Sequence, residues 1–177
     1  IYAAAATQHL ISKYGAEMIV NFGICGGLTE EMSLCRTCIV EKTVHYDFDT
    51  SAIDGVEVGR YFDLPDLYIH ADKRLLNLAL ETEPSLMPVI CASGDKFVAD
   101  AKRKAELHAK YSASICEMES AGLLLTANRN GVPALLIKAV SDSVSGGAEE
   151  YEKMARESAE VCIKTMFAVI ERICIQK

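Results

Sequence analysis

One stretch constrains this chain more than any other: in the segment Pro133 to Val140, the run Ala134-Leu135-Leu136-Ile137 carries no polar side chain. A strand apolar on both faces has to be covered on both faces, which marks a central strand of a layered α/β sheet. Met18 to Phe22, Cys38 to Val44, Met87 to Cys91 and Ser114 to Cys116 also read as short strands. Helical stretches separate them. They run from about Ile1 to Tyr14, from about Asp72 to Glu83 with Asp72 or a residue near it as cap, and from Asp100 to Lys110. Met118 to Arg129, with Gly131 as C-cap residue, and Ala148 to Cys174 follow. In the last of these, Tyr151, Met154, Ala155, Cys162, Met166, Val169, Ile170 and Ile173 recur at threes and fours, so one face should pack on the sheet. Asp47 to Asp66 is polar, with hairpin pieces expected around Asp54-Gly55. The alternation predicts a three-layer α/β/α domain with a largely parallel sheet, whose ligands gather at the carboxyl ends of the strands. The 177 residues fit a single domain, 1–177.

Charge and composition narrow the partners. The net charge of −7 offers no surplus of Lys and Arg for a phosphate backbone, so no nucleic acid is expected. No apolar stretch approaches the roughly 20 residues that span a bilayer, so no membrane is expected either. Seven cysteines, odd in number and irregular in spacing, fit a reduced, cytoplasmic setting better than a disulfide scaffold. Cys35 and Cys38 form a lone CxxC without a second pair, so neither a metal nor another cofactor is expected. The chain opens at Ile1 directly into an alanine-rich helix with no start signal, and an upstream segment is expected to precede it.

Three strand-end segments can carry chemistry. Asn21-Phe22-Gly23-Ile24-Cys25-Gly26-Gly27 reads as a strand ending in a glycine turn, which would let backbone approach a ligand; it has neither a Walker nor a GxGxxG order. In Cys116-Glu117-Met118-Glu119, strand alternation puts the two acids on one side and Met118 on the other. A carboxylate there can accept two hydrogen bonds from a vicinal diol, and a methionine offers an adaptable apolar surface to a sugar. Both acids also suit a helix start, and either role is open. In Lys138-Ala139-Val140-Ser141-Asp142, an acid follows directly on a buried strand. Burial would raise its pKa and make Asp142 a proton donor, unless it merely caps a helix. Phe97, after Ser93-Gly94-Asp95, can stack on a planar base or fill a core.

Taken in order, Asn21 with Gly23, Gly26 and Gly27, then Ser93-Gly94-Asp95 with Phe97, then Glu117-Met118-Glu119 with Ala121, then Ser141-Asp142, resemble the nucleoside phosphorylase/nucleosidase superfamily. The match is strongest to the 5′-methylthioadenosine/S-adenosylhomocysteine nucleosidases and covers nearly the whole chain. The resemblance implies an α/β fold around a mixed, partly closed sheet, assembled as a homodimer or larger homo-oligomer. It implies hydrolysis of the N-glycosidic bond of a purine nucleoside, in methionine salvage. Asp142 then corresponds to the acid that protonates purine N7, with Ser141 beside it. Glu119 corresponds to the carboxylate on the ribose hydroxyls, Met118 to the residue packing on the sugar, and Phe97 and Val98 to the contacts on the base. Cys25, Gly26 and Glu117 complete the substrate-binding set.

Phosphorylases of the superfamily carry an arginine for phosphate before the glycine segment, where this chain has Asn21, so water is the expected nucleophile. Two positions near that water depart from the nucleosidases, which have serine where Ile24 stands and arginine where Lys138 stands. The family's water-activating glutamate corresponds to a segment upstream of Ile1, so residues 1–177 alone are expected to be inactive. The stretch His45 to Pro65 resembles the segment that, in nucleosidase dimers, reaches the partner's 5′-substituent pocket, with Ile53 and Pro65 as candidates there; a plain surface hairpin is the open alternative. A phosphate-dependent phosphorylase is one alternative. A nucleoside-binding protein that kept the fold without the reaction is the other.

Overall fold

The computed structural model describes residues 1–175. Six helices alternate with six strands: α1 (Tyr2–Tyr14), β1 (Ile19–Gly27), β2 (Thr37–His45), α2 (Ser51–Asp54), β3 (Ile69–His70), α3 (Lys73–Thr82), β4 (Met87–Ser93), α4 (Ala101–Tyr111), β5 (Ile115–Glu117), α5 (Ser120–Arg129), β6 (Ala134–Asp142) and α6 (Ala148–Ile175). The strands lie in the order β3-β2-β4-β5-β1-β6, and β2 also pairs with β6. That extra pairing closes β2, β4, β5, β1 and β6 into a barrel-like ring, with β3 hung on its outside. Pairings β1–β6, β2–β4 and β4–β5 are parallel, whereas β1–β5, β2–β3 and β2–β6 are antiparallel. The sheet is therefore mixed. Most of its paired length is parallel, as strand–helix alternation predicts, and the antiparallel closure of β2 on β6 lies outside what alternation can say.

The residues forecast as a central strand are closed from solvent: every residue of β6 is buried. Leu135, Ile137 and Ala139 face α3 and α6, in a cluster with Ile39, Leu75, Cys162 and Met166. Leu136 and Val140 face the opposite way, into a cluster with Leu123 and Leu124 of α5, against which Ala3 and Ile11 of α1 pack. A third cluster joins Leu107 and Tyr111 of α4 to Val44, Ala92 and Val98. Burying one leucine-sized side chain contributes about 1.5–3 kcal/mol, so these clusters dominate the stability. Asp72 and Asp100 cap α3 and α4, accepting the N–H of Leu75 and of Arg103 at 2.8 Å each.

Two local expectations give way. Around Asp54-Gly55 there is no hairpin. Ser51–Asp54 forms the short helix α2, which ends on Gly55 in the left-handed conformation at φ 69°. The glycine segment after Phe22 is not a turn: β1 continues through Gly27, with a bulge between Cys25 and Gly26. The glycine at 26 is required for proximity. A Cβ there would lie 2.9 Å from Asp142 Oδ2 and 3.1 Å from Cys116 Sγ.

Candidate functional site

Register brings the separated motifs to one end of the ring. Gly26 stands opposite Asp142 on β6 and Cys116 on β5, and Glu117 stands opposite Ser93 on β4. A cavity of about 330 Å³ opens there, within the roughly 300–1,000 Å³ of small-ligand sites. Its walls include Asn21, Ile24, Cys25, Gly26, Phe97, Val98, Glu117, Met118, Glu119, Lys138, Ser141 and Asp142. Four motifs spread from Asn21 to Asp142 thus border one space. Ile53 and Pro65 are exposed on the α2 side of the molecule, and neither lines the cavity.

The acids differ in their surroundings. Glu117 is closed from solvent; Lys138 Nζ lies 2.9 Å from its Oε2, and the N–H groups of Glu119 and Ser120 donate to it at 3.0–3.1 Å. Burial alone would raise its pKa, but the Lys138 ammonium and these donors pull it down to about 2. Its carboxylate is therefore occupied in holding the start of α5, and has little left to offer a ligand. Glu119 lies 3.3 Å from the same ammonium, with its side chain 46% exposed toward the cavity. Partial burial raises its pKa, and Lys138 opposes that rise. Lys138 is fully buried. Burial would lower its pKa, but Glu117 and Glu119 raise it above the ordinary lysine value. It is a counterion to both glutamates.

Asp142 is buried at the end of β6, but it is not alone there. Lys104 Nζ, from α4, lies 2.6 Å from Asp142 Oδ2, and the side chains are 0% and 2% exposed. The sequence reading, which gave Asp142 a character set by desolvation alone, missed this cation. Ser141 Oγ lies 3.2 Å from the Cys25 carbonyl oxygen and 3.0 Å from Asp142 Oδ1, two acceptors competing for one hydroxyl.

The apolar walls are exposed where a ligand would cover them. Phe22, Phe97 and Met118 border the cavity at 44%, 43% and 41% exposure, unusual for residues of this size. Phe97 meets Tyr151 edge-on, with ring centroids 5.3 Å apart. Tyr151 was expected on the sheet-packing face of the last helix. It lies instead one turn into α6, beyond the end of the sheet, and turns to the cavity. Val98 is buried by its side chain. Asn21 Oδ1 is buried at the cavity wall, with no hydrogen-bond partner among the described residues. No group of three or more His, Cys, Asp or Glu side chains among the described residues could hold a metal ion. No described helix is long and apolar enough to cross a membrane.

Known proteins share this chain's sequence family and fold. The model of the family described as the phosphorylase superfamily matches residues 2–174. An aminodeoxyfutalosine nucleosidase of Campylobacter jejuni is 28% identical over 169 residues, covering 93% of this chain and 73% of that protein. A 5′-methylthioadenosine/S-adenosylhomocysteine nucleosidase of Shewanella sediminis is 30% identical over 180 residues, covering 98% of this chain and 77% of the relative. The crystal structure of a Campylobacter jejuni 5′-methylthioadenosine/S-adenosylhomocysteine nucleosidase superposes with a TM-score of 0.86 at 28% identity, over 96% of this chain and 75% of that one.

Proposed function

The chain belongs to the phosphorylase superfamily, and from that premise we propose that it hydrolyses the N-glycosidic bond of a purine nucleoside such as 5′-methylthioadenosine or S-adenosylhomocysteine. The observation that carries this reading is the shared cavity of Asp142, Glu119, Met118 and Phe97. Breaking the C1′–N9 bond leaves positive charge on the sugar and negative charge on the base. In this reading Asp142 delivers a proton to N7 of the departing purine, which stabilises the leaving group. Glu119 accepts the ribose hydroxyls, and its negative charge favours the oxocarbenium-like sugar. Phe97 stacks on the base, Met118 packs on the sugar, and Val98 offers its backbone to the base edge. Cys25, Gly26, Ser141 and Glu117 shape the floor behind them.

Asn21 supports water over phosphate as the nucleophile, since an amide cannot replace the bidentate guanidinium contact to a dianion. Ile24 cannot hydrogen-bond that water, so its placement falls to other groups. We read the assembly as a homodimer in which Ile53, 90% exposed, and Pro65 reach the partner's 5′-substituent pocket. All seven cysteines are free thiols, which supports a cytoplasmic place in methionine salvage.

The test uses the natural full-length protein. Incubated with 5′-methylthioadenosine in phosphate-free buffer, it should release free adenine and 5-methylthioribose. Strict dependence on phosphate, with a ribose 1-phosphate product, would move the protein to the phosphorylases. Nucleoside binding without base release over hours would leave it a binding protein.

A further inference from the structure

Helix α4 turns three side chains inward, Lys104, Leu107 and Tyr111. The first is out of place, because a lysine is almost never fully buried unless something holds it. Here three acceptors do: Asp142 Oδ2 at 2.6 Å, the Ser143 carbonyl oxygen at 2.6 Å and the Gly146 carbonyl oxygen at 3.0 Å. An ammonium has three N–H donors, so each finds one partner. If the proton facing Asp142 moves across, the amine keeps two N–H groups for the two carbonyls and turns its lone pair to the new acid. Both protonation arrangements satisfy every polar atom around Nζ. In a site closed to water the charged arrangement also loses much of its advantage over the neutral one. The other ionisable groups near the pair are Cys116 from β5 and Glu150 from α6, whose carboxylate accepts the Ser143 N–H. Burial pushes the Cys116 thiol up to about 12, so it stays neutral over the working range.

We propose that Lys104 and Asp142 hold one transferable proton between them, with Lys104 the positioning residue that supplies it and Asp142 the group that hands it to the purine. This deepens the hydrolase reading above and rests on it. A proton moves from Nζ to the carboxylate, and the resulting acid gives it to N7 as the C1′–N9 bond breaks and its electron pair enters the purine. Lys104 is left as a neutral amine and Asp142 as a carboxylate. Water adds to C1′ and sheds a proton to solvent, and a proton from solvent restores the ammonium.

Two variants of the natural full-length protein separate proton supply from charge. Lys104→Arg keeps a cation beside Asp142 but has no proton to give, because guanidinium does not deprotonate in proteins. Its kcat for 5′-methylthioadenosine should fall about 10²-fold or more at every pH, with KM little changed. Lys104→Met leaves Asp142 as the sole acid. Its kcat should recover toward acid pH, with the alkaline limb of the profile displaced downward by about two pH units or more relative to wild type. Wild-type kcat in Lys104→Arg, or an unmoved alkaline limb in Lys104→Met, overturns the proposal. If the methionine variant does not fold, the kcat and KM of the arginine variant decide. Adenine release by the wild type with unchanged variants sinks only the relay, whereas no release by the wild type sinks the hydrolase reading beneath it.

Discussion

Replacing Lys138 by methionine tests the electrostatics of the cavity floor in a way that does not depend on any substrate. Lys138 Nζ is 2.9 Å from Glu117 Oε2, and both side chains are 2% exposed or less. The Glu117 carboxyl sits at about 2 instead of 4.5, because the ammonium and the α5 N–H donors outweigh its burial. A depression of that size is worth on the order of 3 kcal/mol in favour of the charged, folded form. Taking away the cation leaves a buried carboxylate with only its N–H donors, a change that in general costs about 3–5 kcal/mol. Urea unfolding at pH 7 should show Lys138→Met destabilised by that amount. Adding Glu117→Gln should recover most of the loss, since the orphaned charge is gone. The pH dependence should change sign as well. A depressed carboxyl stabilises the wild type above the unfolded value of about 4.5, and that contribution is lost as pH falls from there toward 2. In Lys138→Met the same carboxyl, buried without a cation, titrates above its unfolded value, so acidification from that raised value down to about 4.5 should stabilise the variant, with little further change below. A loss under about 1 kcal/mol at pH 7, or no recovery in the double variant, would refute the reasoning.

Three further outcomes bear on the cavity itself. Asp142→Asn should lower adenine release by the full-length protein about 10²-fold or more while nucleoside binding, read by calorimetry, persists; near-normal turnover would remove Asp142 from its assigned role. Glu119→Gln should cost about 1.5–3 kcal/mol of transition-state binding, read as kcat/KM, and the penalty should shrink for a substrate lacking the ribose 2′-hydroxyl. Gly26→Ala forces a methyl to within 2.9 Å of Asp142 Oδ2 and 3.1 Å of Cys116 Sγ. It should lose about 1–3 kcal/mol in urea unfolding and a large part of its turnover together.

How much of this was legible in the sequence follows from which interactions are local. Helix α3 was placed to within a residue at its start because Asp72 caps it through Leu75, three residues on. Strand β6 was placed because its apolar run needs no partner to be recognised. Apart from Ile53 and Pro65, the candidate set met in one cavity because strand ends are where a sheet exposes side chains. The antiparallel closure of β2 on β6 was not legible, since it joins Thr37 to Ala139 across a hundred residues of chain. Lys104 was read as part of a polar helix for the same reason. Its burial depends on Asp142, 38 positions later, and the only local trace is its place on one stripe with Leu107 and Tyr111. Short α2 escaped because four residues carry too little periodicity to outweigh an Asp-Gly turn signal.

The two buried lysines also bear on the choice of nucleophile. Lys104 and Lys138 face three carboxylates, Asp142, Glu117 and Glu119, so the ion pairs at the site sum to one negative charge when all are ionised. Each ammonium already has a carboxylate within 2.9 Å, and neither is free to meet an incoming anion. Lys96 borders the cavity too, but it is exposed at the rim, where solvent weakens its pull. A phosphate dianion would thus enter a poorly solvated space of like sign, without the arginine that could offset its desolvation. An oxocarbenium-like sugar meets the opposite balance, and neutral water meets no electrostatic barrier. On the proposed reading, the same charge distribution that would stabilise the reacting sugar would also select against phosphate, with Asn21 one part of that selection.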